Sequence, residues 1–147
     1  MTTTNTLTVL IFAAFPIVAF ATLDVQQQNA KERGIILFNQ FKPAAPELRI
    51  AAEAGDREAQ FFLAEEIRQE KHYISNEAYK WYEAAAKQGD FYSMIRIGRS
   101  SSDLCVKMKN CPTGIKKPEE WLAEAQKIAK EKSNHGDAEA LYIMYEL

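Results

Sequence analysis

A self-similarity at fixed spacing constrains this chain more than any other feature. Ala51-Ala52-Glu53-Ala54-Gly55-Asp56 returns as Ala85-Ala86-Lys87-Gln88-Gly89-Asp90, an offset of 34 residues. The same offset pairs Ala59 with Ser93, Leu63 with Ile97 and Ala64 with Gly98. A third copy begins at Gly136-Asp137, where Ala140 and Met144 match Ser93 and Ile97 at an offset of 47. Periods of this size belong to stacked helical hairpins, none of which can bury its apolar face alone. The 13 extra residues before the third copy fall in a cysteine-containing loop and a longer following helix.

Each copy reads as a pair of helices. Gly55, Gly89 and Gly136 stand where a helix needs a left-handed terminator, and the Asp after each can cap the next helix at once. So short a turn makes consecutive helices antiparallel. The first full copy predicts a helix over residues 56–70, with Ala59, Leu63 and Ile67 along one stripe. Its partner covers residues 76–87, capped by Ser75, with Ala78, Trp81, Tyr82 and Ala85 at helical spacing. In the second copy Pro118 opens the second helix, with Glu119 and Glu120 in its first turn. There Trp121, Leu122, Ala125, Ile128 and Ala129 form the apolar stripe. Residues 31–40 and 46–54 form a degenerate pair at the N-terminal end. No segment alternates with period two, so no sheet is expected. The fold class is all-α, a solenoid of antiparallel helix pairs over residues 22–147.

The residues that carry this pattern resemble a known family. Ala51 to Gln60, Leu63-Ala64 and Ala78 to Gly89 are similar to the Sel1-like repeat, a relative of the tetratricopeptide repeat. The second copy departs at Ser93, where the family usually has Ala, and the third at Tyr145, where it has a small residue. The resemblance implies a right-handed superhelix with a scaffolding role and no chemistry of its own. It also implies a groove lined by the first helix of each pair. The residues expected there are Phe62, Glu65, Tyr92, Arg96, Arg99 and Ile143.

Residues 1–23 carry no ionisable side chain, and residues 7–21 are almost wholly apolar, ending in Ala19-Phe20-Ala21. This small-x-small ending predicts a signal peptide cut after Ala21 and delivery to the periplasm. An uncleaved anchor is the alternative, although the run is shorter than the roughly 20 apolar residues that span a bilayer. Cys105 and Cys111 lie six apart among turn formers, with no CxxC and no His between them. A disulfide fits an exported chain, and closing that seven-residue loop is worth roughly 2.4 kcal/mol by loop entropy. Around it, residues 96–117 hold six basic side chains against Asp103. Lys107 and Lys109 of this insertion are expected to join the groove in holding a partner.

An inventory of catalytic groups is thin. His72 and His135 sit at helix ends, Glu65-Glu66 and Glu119-Glu120 are adjacent pairs that point about 100° apart on a helix, and no nucleophile motif or phosphate loop is present. Net charge is −2, so bulk electrostatics recruits neither nucleic acid nor an anionic membrane. The expectation is therefore a protein binder with no cofactor, no metal and no small-molecule substrate. Sel1-like proteins include periplasmic immunity partners of type VI secreted phospholipases, which this chain is similar to in size, export and repeat type. The alternative is an envelope adaptor in polysaccharide secretion or signalling. Leu141, Ile143, Met144 and Leu147 fill a last helix with no second helix to cover it, which leads to the expectation of either a truncated reading frame or a homodimer that buries this end.

Overall fold

The computed structural model describes residues 22–147; the leader expected over residues 1–21 lies outside them. Among the described residues the chain is all helix, with no strand. The elements are α1 (Val25–Asn39), α2 (Ala45–Glu53), α3 (Arg57–Lys71), α4 (Asn76–Lys87), α5 (Phe91–Gly98), a short α6 (Leu104–Met108), α7 (Pro118–Ser133) and α8 (Ala138–Glu146).

Local chemistry sets most of these boundaries. Asp56, Asp90 and Asp137 each accept a hydrogen bond from the backbone N–H three residues on, at 2.8, 2.7 and 2.9 Å. Each satisfies one of the free donors at a helix start. The Gly before each Asp has φ of 92°, 84° and 81°, a region an L side chain rarely enters. Ser75 caps α4 and Pro118 opens α7, as the sequence implies. The first helix differs. It starts at Val25 rather than near residue 31, because Asp24 and Gln27 form a reciprocal capping box.

Each main helix packs on the next: α1 on α2, α2 on α3, α3 on α4, α4 on α5, α5 on α7 and α7 on α8. The helix α1 also reaches α3. Between them lies one apolar core built from large wedges, Leu48, Leu63, Tyr82, Ile97 and Trp121, set among alanines. Small residues mark the closest crossings. A Cβ placed on Gly98 would overlap the Leu122 Cγ, so α5 and α7 meet at a distance only glycine allows.

Candidate functional site

A solvent-facing groove runs across α3, α5 and α8, the first helices of the three copies. Its larger hollow, about 450 Å³, lies between Lys31, Phe61, Phe62, Asp90, Tyr92 and Glu139. A second, about 210 Å³, shares Phe61 and Tyr92 and continues to Arg96, Arg99 and Tyr142. Phe61, Phe62 and Tyr92 line the groove, and Phe38 backs them from outside the two hollows. Phe38 meets Phe62 edge-on at 5.2 Å, Phe62 meets Phe61 at 5.4 Å, and Phe61 meets Tyr92 at 5.8 Å. Such tilted contacts place a ring edge on a neighbour's electron-rich face.

The charges separate along the helices. Acids collect at the N-terminal ends, where Asp56, Glu58, Asp90 and Glu139 line the first hollow and oppose the helix dipoles. Arg96 and Arg99 lie at the other end of α5 and border the second hollow. Lys31 closes one side of the acidic end, with Nζ 3.1 Å from Asp56 and 2.8 Å from Glu58. Burial works to lower the Lys31 ammonium, but the hydrogen bonds to Glu58 and Asp56 outweigh it and leave its pKa raised. Burial pushes the Asp90 carboxyl up, against the pull of its bond to the Ser93 N–H. The Tyr92 hydroxyl is raised by burial and then by the nearby Glu139 charge.

The residues expected at a binding face divide into three groups. Phe62, Tyr92, Arg96 and Arg99 are in the groove. Glu65 is 5% exposed and borders neither hollow, while Ile143, only 1% exposed, forms part of the wall of the second hollow but offers almost no surface to a partner. Ile143 is core because α7 covers α8 on that side. Glu65 is the centre of a buried network. Its Oε1 accepts from the Tyr82 hydroxyl at 2.7 Å and from Arg96 Nε at 2.7 Å, while its Oε2 accepts from Arg68 at 3.1 Å. Burial and the Glu65 charge drive the Tyr82 hydroxyl far above the ordinary phenol range, so it stays a donor.

Lys107 and Lys109 form the third group. They are exposed, but they line neither hollow of the groove. The loop that carries them packs on α4 and α7. Asp103 accepts from the Ile74 N–H at 3.0 Å and the Cys105 N–H at 2.9 Å, and the Ile115 N–H donates to Glu83 at 2.8 Å. Lys116 pairs with Glu124 and stands 4.5 Å over the Trp121 ring. The Cys105–Cys111 disulfide is present, with Cys105 buried and Cys111 exposed.

Lys31, Phe61, Glu139 and Tyr142 are groove residues that the sequence did not single out, and of these Phe61 touches both hollows. A signal was available. The fifth residue after each capping Asp is Phe61, Ile95 or Tyr142, apolar or aromatic in all three copies, and all three border the second hollow. Of the histidines, His72 takes the left-handed position that ends α3, at φ 63°, and His135 bonds the Glu131 carbonyl through Nδ1 at 2.9 Å. No family model, curated protein or solved structure matches the chain.

Proposed function

We propose that this chain is an exported Sel1-like solenoid that binds one protein in the α3–α5–α8 groove, and that its role is to neutralise a toxic phospholipase arriving in the envelope. The observation that carries the binding part is the set of rings Phe61, Phe62 and Tyr92 lining the groove between an acidic end and one that holds Arg96 and Arg99. Aromatic and Arg side chains dominate binding energy at protein interfaces, and here both occur in one trough. The solenoid part is supported by the neighbour-to-neighbour packing and by the Gly-Asp junctions, which recur at each copy. The immunity part rests on the resemblance in repeat type, size and leader.

The test is capture from envelope extract, followed by co-expression with the captured enzyme. Phe61→Ala and Tyr92→Ala should keep full helical content, weaken capture by on the order of 2 kcal/mol each, and fail to protect the cell. If both variants capture and protect like the parent, the groove is not the binding face. If the captured protein belongs to polysaccharide secretion or signalling, the chain is an envelope adaptor using the same groove.

A further inference from the structure

The cysteine loop is chemically unlike the groove and needs its own explanation. In residues 104–118 there are four lysines and no acid, in a chain whose net charge is −2. Four large apolar side chains of the same stretch stand in water: Leu104 at 47%, Val106 at 48%, Met108 at 53% and Ile115 at 63% exposure. They are held there. The disulfide closes the loop; at one end Asp103 accepts from the Ile74 N–H, and at the other the Ile115 N–H donates to Glu83 of α4. Lys116 is occupied by Glu124, which leaves Lys107, Lys109 and Lys117 with no ion-pair partner among the described residues.

We propose that this stapled loop docks on the surface of an anionic phospholipid bilayer. Apolar side chains interleaved with lysines match an interface in which hydrocarbon tails lie just beneath negative headgroups. A protein partner fits less well. Protein interfaces favour aromatic residues and Arg and are depleted in Lys, whereas residues 104–117 contain no aromatic residue and no Arg. The staple adds pre-organisation, because the apolar side chains project without first having to be ordered. This inference stands independently of the groove reading, since the loop packs on α4 and α7 and borders no part of the groove.

The experiment uses the full chain with Met108→Trp, so that the signal comes from the loop and not from the apolar N-terminal segment. Vesicles of brominated phosphatidylcholine, with and without phosphatidylglycerol, quench any indole that enters the acyl boundary. Trp81 and Trp121 are buried and provide a constant background. The expected result is quenching on phosphatidylglycerol vesicles that fades with added salt. Adding Lys107→Ala and Lys109→Ala should weaken it about thirtyfold, at roughly fivefold per lysine near a charged surface. Three outcomes would overturn the proposal: no quenching on anionic vesicles, equal quenching on neutral ones, or indifference to the two lysines. A signal from the introduced indole that changes only on capture of a protein would overturn it too and make the loop a protein contact. Circular dichroism on each variant separates loss of binding from loss of fold.

Discussion

In the first full helix pair, four residues, 72–75, join α3 to α4; in the second, nineteen residues, 99–117, join α5 to α7. The helices also differ in length, since α3 has 15 residues and α5 only 8. Yet equivalent positions are buried alike: Leu63 and Ile97 are fully buried, Ala64 and Gly98 are buried too, and Gly98 lies against Leu122 of α7. Packing constrains the crossing and leaves the connection free. Each doubling of a flexible connection costs only about 0.6 kcal/mol, so a loop can grow without disturbing the pair it joins. The polar supports diverge as well. Glu65 of the first pair is the hub of a buried network, while its counterpart Arg99 is exposed.

The largest expected effect breaks that last symmetry. Glu65→Ala leaves the buried Tyr82 hydroxyl without its acceptor and two guanidinium groups without a carboxylate, and should cost about 3 kcal/mol in urea unfolding. Arg99→Ala, at the equivalent position, should stay within about 0.5 kcal/mol. The crossings give the next effect. Gly98→Ala raises helix propensity, yet its Cβ would collide with the branch point of Leu122, so a net loss of about 2 kcal/mol is expected. The first pair already carries a Cβ there, and Ala64→Gly should cost about 1 kcal/mol through backbone freedom alone. A gain in stability for Gly98→Ala would show that the α5–α7 crossing relaxes.

Ser93→Ala should work in the opposite direction. Ser93 is fully buried and its hydroxyl lies near the Asp90 carboxylate without making a well-formed hydrogen bond to any of the described residues, whereas Ala59 and Ala140 fill the matching sites. Removing the hydroxyl should stabilise the chain by about 1 kcal/mol, read as a higher melting temperature. Asp90→Asn should have the smallest effect. It keeps an acceptor for the Ser93 N–H but removes a charge that burial disfavours. Because the folded pKa lies above the ordinary 3.8, the folded chain holds this proton more tightly than the unfolded one does. Its contribution is therefore complete at low pH and is lost as pH rises through the raised value. The Asn variant should gain on the parent as pH climbs from 3.8, and a constant difference across pH would contradict that shift.

Much of the architecture was legible because it is written in short-range chemistry. The span of α4, the Ser75 cap, the Pro118 start and the three Gly-Asp junctions all depend on residues within a few positions of each other. The true start of the first helix is equally local, since Asp24-Val25-Gln26-Gln27 is a capping pattern that can be read from the sequence. The short helix α6 inside the cysteine loop gives no comparable sign, since five residues have no period to detect.

The groove shows where sequence reasoning ends. By itself the sequence determined the all-helical class, the spans of α3 and α4, the start of α7, the three Gly-Asp junctions and the stripe on which Phe62, Tyr92, Arg96 and Arg99 lie. Tertiary structure alone decided that Glu65 and Ile143, on that same stripe, are interior, and that Phe61 is the ring joining the two hollows. It also decided that Lys107 and Lys109 belong to another surface. The physical reason is one of range. A cap or turn is satisfied within four residues, but burial is decided by neighbours far along the chain: Tyr82 and Arg96, 17 and 31 residues beyond Glu65, enclose its carboxylate.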